Sequence, residues 1–124
     1  MGVSMDFSKL DGLIPAVIQD AESREVLMVG FMNLAALEIT RRTRFATFFS
    51  RSRQTLWTKG ETSGNRLEVV EILADCDEDT VLVKVRRRGD GNVCHTGARS
   101  CFFRAPEDLD QTATAATDQN GGLR

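Results

Sequence analysis

All three cysteines and the sole histidine of this chain fall in one stretch, "ADCDEDTVLVKVRRRGDGNVCHTGARSCFF", residues 74–103. The thiols are Cys76, Cys94 and Cys101, and the imidazole is His95. The same stretch carries Asp75, Asp77 and Asp79 at every second position. Thiolates suit zinc, whereas clustered carboxylates suit a harder cation such as magnesium or calcium. Three thiolates with no fourth protein ligand would leave one zinc position open to water, the arrangement of a catalytic site. The C-x6-C spacing of the last two cysteines is not a zinc-finger knuckle, and the competing reading is three small buried hydrophobes.

Strand parity sorts these groups if the segments are extended. His95 directly follows Cys94, so it would face the other way and act as an acid/base rather than a ligand. A surface imidazole is the alternative. The same parity puts Asp75, Asp77 and Asp79 on one side and Cys76 on the other, so one segment could serve two metals. The competing reading is a solvated acidic turn between strands. The glycine and distal glutamate of an EF-hand loop are missing.

A second group sits upstream in "SRSRQTLWTKGETSGN", with Arg51, Arg53 and Lys59 among the hydroxyls of Ser50, Ser52, Thr58, Thr62 and Ser63. Guanidinium forks, hydroxyls and glycine-flanked N–H groups are what phosphate oxygens require. Arg51 and Arg53 share a face if that run is a strand, and Trp57 either stacks on a base or packs in the core. A solvated basic loop is the plainer alternative.

The elements that must position these groups are legible as patterns. "PAVIQD" and "EVLMVGFM" read as a hairpin across the polar "AESR". Asn33 reads as the N-cap of a helix over "LAALEITRRT", with Arg41 and Arg42 near its negative end. "FATFFS" and "RLEVVEILADC" read as strands, and Gly60 and Gly64 mark turns. "TVLVKVRRR" alternates, with Val81, Val83 and Val85 on one face. "GDGN" is a turn signal ahead of the thiols. From Pro106 the chain turns polar and small, which predicts a domain over 1–105 and a flexible tail over 106–124.

Bulk properties narrow the function. The chain has 124 residues, 41% hydrophobic and 27% charged, which suits one soluble domain. A net charge of −2 gives no global case for nucleic acid or an acidic membrane. The opening "MGVSMDFSKLDGL" has no apolar signal-like core, and the longest apolar run is too short for a bilayer. An odd number of cysteines fits reduced thiols in the cytoplasm. An RNA-binding zinc module would account for the thiols and the basic loop but not for the regular aspartates. A base deaminase would need an H-x-E and P-C-x-x-C signature that is missing.

Taken in order and spacing, "PAVIQD…EVLMVGFMN", "SRSRQTLWTKGETSGN", "DCDED" and "CHTGARSCF" resemble the phosphoribosyl-AMP cyclohydrolase family over residues 13–103. The resemblance implies a hydrolase of histidine biosynthesis. It would open the adenine ring of 1-(5-phosphoribosyl)-AMP at the N1–C6 bond with a zinc-activated water. It also implies an intertwined homodimer with one Zn2+ per subunit and Mg2+. Cys94 and Cys101 would share zinc with Cys76 of the other subunit, and Asp75, Asp77 and Asp79 would form the magnesium set. His95 would be the acid/base. Arg51, Arg53, Trp57, Lys59, Glu61, Thr62, Ser63, Gly64 and Asn65 would hold the phosphorylated nucleotide. The expected fold is α+β, a strand-rich, mainly antiparallel, barrel-like sheet with one main helix. Three positions depart from the family pattern. Phe48-Phe49 stands where a Tyr-Trp pair is expected, Val93 where an alanine is, and Arg44 where a glycine is. None is a proposed ligand.

Overall fold

The computed structural model describes residues 4–108. Six strands and one α-helix follow in the order β1 (Ile14–Asp20), β2 (Val26–Met32), α1 (Leu34–Thr43), β3 (Thr47–Ser50), β4 (Thr55–Thr58), β5 (Leu67–Ala74) and β6 (Val81–Arg87). A short 3-10 turn, Pro106–Asp108, ends the described chain, so the tail expected over 106–124 lies outside the described residues after its first turn.

Alternation decides which faces are buried. Ile14, Ala16, Ile18 and Asp20 of β1 point inward, as do Val81, Val83 and Val85 of β6. With Leu27, Met32, Leu37, Phe48 and Leu67, the apolar residues of these faces form one core. The expected hairpin is present, with β1 and β2 antiparallel from Ile14↔Met32 onward. The sheet as a whole corrects the expectation. Its order is β2-β1-β6-β5, with β1 and β6 parallel, so it is mixed and not mainly antiparallel. It is also not a closed barrel, because β3 and β4 form a separate two-stranded sheet. One bridge, Phe45↔Glu68, ties the entry of β3 to β5.

The helix begins as its sequence dictates, with the Asn33 side chain accepting the Ala36 N–H at 2.8 Å. Inside it, Thr40 Oγ1 donates to Ala36 O at 2.8 Å and accepts the Thr47 N–H at 2.9 Å, which fastens α1 to β3. Arg44 closes the helix in the left-handed region (φ 68°), where glycine costs least. Its guanidinium donates to Val70 O at 3.2 Å.

The two-stranded sheet packs directly on β2. A Cβ on Gly30 would stand 2.5 Å from the Phe48 ring, so only glycine allows this approach. The β3–β4 hairpin therefore runs alongside β2. The run whose plainer reading is a solvated basic loop contains a strand, β4, because Leu56 and Trp57 pair across to Phe49 and Phe48. Arg51 and Arg53 lie in the tight turn between β3 and β4, not on one strand face.

Candidate active site

The aspartates converge, but not by strand parity. Residues 75–80 form the turn between β5 and β6, with Glu78 at φ 63°. Asp75 builds it: its N–H donates to Thr80 O at 3.0 Å, and its Oδ1 accepts the N–H groups of Asp79 and Thr80 at 3.0 and 3.2 Å. This local folding brings carboxylate oxygens of Asp75, Asp77 and Asp79 within 4.8 Å of one another.

A cation already stands among them. Lys9 Nζ lies 2.8 Å from Asp79 Oδ2 and 3.3 Å from Asp77 Oδ2. The Lys9 hydrogen bond draws the Asp79 carboxyl down to about 2, against a smaller opposing desolvation. Desolvation raises Asp75, opposed by the Asp79 N–H and reinforced by the neighbouring carboxyls. Lys9 itself is raised by its bonds to Asp79 and then Asp77. A set of oxygen ligands that draws in an ammonium suits a hard divalent cation.

The thiols are neither in a strand nor buried. Cys94 opens a turn whose Gly97 N–H returns to Cys94 O at 2.9 Å, while Cys94 N–H donates to Ala98 O at 3.0 Å. His95 lies exposed in that turn. The turn docks on the start of β2 through three bonds. Arg99 Nε donates to Glu25 at 2.7 Å, Ser100 Oγ to Val26 O at 2.8 Å, and Cys101 N–H to Leu27 O at 2.7 Å. This brings Cys94 and Cys101 close enough for each to shift the other's thiol. Thr96 Oγ1 donates to Cys94 Sγ at 3.1 Å and lowers that thiol, while burial raises Cys101. Lys59 is close enough to favour the thiolate of both. Cys76 and Cys101 are exposed and Cys94 is half-buried, which removes the reading of three core hydrophobes.

Cys76 does not join the pair. It sits in the β5–β6 turn, before β6 begins, whereas Cys94 follows the end of β6. Seven residues of strand, about 20 Å at the usual rise, separate the two ends. Among the described residues, the aspartates are the only group of three or more His, Cys, Asp or Glu side chains that converges. The two adjacent thiols fit a zinc ion in donor type, but they are one thiol short of the expected set.

The cationic residues span both ends. Lys59 lies by the thiols, while the Arg51 guanidinium stacks 4.3 Å from the centre of the Phe31 ring. Arg51, Phe31 and Phe49 line two adjoining clefts of about 570 and 550 Å3. Lys9 and Gln54 border the first, and Trp57, tilted on Phe48 at 4.9 Å, borders the second. Arg53, Glu61, Thr62, Ser63 and Gly64 are exposed. Asn65 spends its amide on the protein: Oδ1 accepts the Asp90 N–H at 2.9 Å, and Nδ2 donates to Asn92 O at 3.4 Å. Sequence reasoning missed Lys9, Phe31 and Thr96. Thr96, two residues after Cys94, offered a signal in its spacing, whereas Lys9 and Phe31 reach the site only through the fold.

Mixed sheet, acidic turn and paired thiols together describe a metal-compatible α+β domain with a cationic, aromatic-walled cleft. The family model for phosphoribosyl-AMP cyclohydrolase matches residues 28–103. A phosphoribosyl-AMP cyclohydrolase from Solibacter usitatus is 61% identical, over 82% of this chain and 80% of the relative. One from Desulfatibacillum aliphaticivorans is 56% identical, over 85% of this chain and 83% of the relative. A histidine biosynthesis bifunctional protein HisIE from Xylella fastidiosa is 56% identical, over 82% of this chain but only 48% of its own length. The chain belongs to the phosphoribosyl-AMP cyclohydrolase family, hydrolases of histidine biosynthesis. Among the described residues, no helix is long and apolar enough to cross a membrane.

Proposed function

We propose that this enzyme opens the adenine ring of 1-(5-phosphoribosyl)-AMP between N1 and C6, at a site built from two copies of the chain. The observation that carries the reading is the separation of Cys76 from the Cys94–Cys101 pair. Three thiolates can meet on one ion only if a second chain supplies the third. A homodimer with Cys76 of the partner subunit beside Cys94 and Cys101 satisfies that requirement twice, once per subunit. Asp75, Asp77 and Asp79 hold magnesium in the same proposal. Free thiols in such numbers fit a reducing cytoplasm.

Zinc held by three thiolates supplies an acidified water. The protein's own groups do the rest. Arg51, set by its stack on Phe31, offers a guanidinium to a phosphate in the cleft. Trp57 offers an aromatic face to the purine. Arg53 from the β3–β4 turn, and the hydroxyls of Thr62 and Ser63 from the loop after β4, offer donors to phosphate oxygens, with Glu61 and Gly64 beside the hydroxyls. His95, exposed beside Cys94, carries a proton between the attacking water and the departing ring nitrogen. Lys59 and Thr96 favour the thiolate form that metal binding needs.

The direct test is ring opening of the purified substrate, followed by its absorbance change, with zinc counted per chain. Turnover with less than one zinc per two chains, or unchanged by full zinc removal, would sink the metal reading. Failure to complement a histidine auxotroph lacking this step would sink the reaction itself.

A further inference from the structure

Lys9 is the one basic group bonded into the acidic turn among the described residues, and it also borders the larger cleft. It precedes the segment that the family model matches. Its place is built rather than accidental. Asp6 N–H donates to Glu78 O at 2.7 Å, which lays the N-terminal segment along the acidic turn. Gly12 N–H then returns to Phe7 O at 2.8 Å, and the chain turns into β1 with Asp11 and Gly12 both at positive φ. Between these anchors Lys9 has only its own flexible side chain to move, and that side chain is about half exposed (48%). The ammonium can therefore leave the aspartates without any change in the backbone.

Two cations cannot both occupy Asp77 and Asp79 closely. We propose that Lys9 is a substrate-binding residue under metal control. Without a divalent cation it neutralises Asp77 and Asp79. When a divalent cation takes the aspartates, the ammonium swings to the cleft it already borders and joins Arg51 in binding a phosphate group. The chemistry is simple charge exchange. The cation removes the attraction that holds Lys9, and a phosphate is the next strong acceptor within its reach. The inference rests on the reading of the aspartates as a cation site, and the experiment separates the two.

The test uses the full chain and two probes, Mn2+ followed by electron paramagnetic resonance and ribose 5-phosphate followed by calorimetry. Lys9→Met is compared with wild type, with Lys9→Arg, and with Lys84→Gln. Lys84 pairs with Glu71 at 3.7 Å, so its loss removes the same charge without touching the acidic turn. Circular dichroism checks that each variant is folded. Lys9→Met is expected to bind Mn2+ about threefold more tightly than wild type, the scale of an exposed ion pair, whereas Lys84→Gln is not. Lys9→Met should also weaken ribose 5-phosphate binding in the Mg2+-loaded protein and leave the metal-free protein unchanged. Lys9→Arg should stay near wild type in both. Equal Mn2+ affinity in wild type and Lys9→Met overturns the Lys9 proposal while leaving the cation site standing. An equal gain in Lys84→Gln, or the same ribose 5-phosphate loss with and without Mg2+, also overturns it. If neither wild type nor Lys9→Met binds Mn2+, the cation reading falls and takes the proposal with it.

Discussion

The two ends of β6 make an instructive pair. At its start, the acidic turn is closed within a few residues, because Asp75 satisfies the turn's own N–H groups and three carboxylates converge as a result. At its end, the thiol loop is held by remote contacts, from Arg99 to Glu25 and from Cys101 to Leu27, and gathers only two of three sulfurs. One cluster is local and complete in a single chain. The other is long-range and one thiol short of the expected set. Crowding in sequence is thus a poor guide to a shared site, since a seven-residue strand puts the two groups about 20 Å apart.

The comparison breaks most cleanly at the cysteines. Replacing Cys76 or Cys101 by Ser should each lower turnover about a hundredfold or more, beyond the cost of losing an outer contact to a metal. A mixture of the two inactive variants should then recover about a quarter of wild-type activity. Random pairing makes half the dimers mixed, and each of these rebuilds one intact site of two. Activity that stays at background in the refolded mixture would mean that the thiol end is not completed by a partner.

The acidic end should lose less. Asp79→Asn should weaken Mn2+ binding and lower turnover by about tenfold. A mixture with Cys101→Ser should still complement, because the one rebuilt thiol site takes Cys76 and its flanking aspartates from the Cys101→Ser chain. The thermal midpoint should hold, since the Asp79–Lys9 pair is exposed. A Mn2+ affinity equal to wild type in Asp79→Asn would remove that carboxylate from the site.

How much of this was legible in the sequence follows the same division. The hairpin, the Asn33 cap and the alternation of Val81, Val83 and Val85 are local patterns, and the structure reproduces them. The parallel β1–β6 pairing joins residues 65 positions apart, as Ala16 to Val81, and no short-range pattern encodes it. Strand β4 was hidden because Thr55, Leu56, Trp57 and Thr58 sit among polar neighbours, and their partners lie across the turn. The aspartates were rightly grouped for a wrong reason. Their side chains meet through a turn with a positive φ at Glu78, where alternation has no meaning. Lys9 was invisible because nothing in its own neighbourhood marks it.

The base of the thiol loop offers a finer test of long-range support. Asn65 bonds Asp90 and Asn92, and a Cβ on Gly89 would stand 2.2 Å from its Oδ1. Asn65→Ala should cost about 1 kcal/mol in denaturant unfolding, as the exposed Asp90 N–H and Asn92 O both lose their side-chain partner. It should also weaken zinc binding and leave Mn2+ binding at the acidic turn unchanged. Equal weakening of both metals would show that the two ends are coupled rather than independent.

The smallest expected effect concerns Asp20, which holds the thiol end through Arg87. Arg87 Nε donates to Asp20 Oδ2 at 2.8 Å, and Arg87 Nη1 donates to Gly91 O at 2.8 Å, just ahead of the thiols. Burial alone would raise the Asp20 carboxyl. The Ser23 and Glu22 N–H groups and the Arg87 guanidinium outweigh it and hold the carboxyl below its ordinary value. A depressed folded-state value means that the unfolded chain takes up the proton first. The stabilisation is therefore complete above the ordinary carboxylate value near about pH 4 and fades as pH falls through the lower folded value. Asp20→Asn should be less stable than wild type at neutral pH, and the gap should narrow below about pH 4. A gap that stays constant from neutral to acid would mean that Asp20 acts through its shape and hydrogen bonds alone, and that the thiol end owes nothing to its charge.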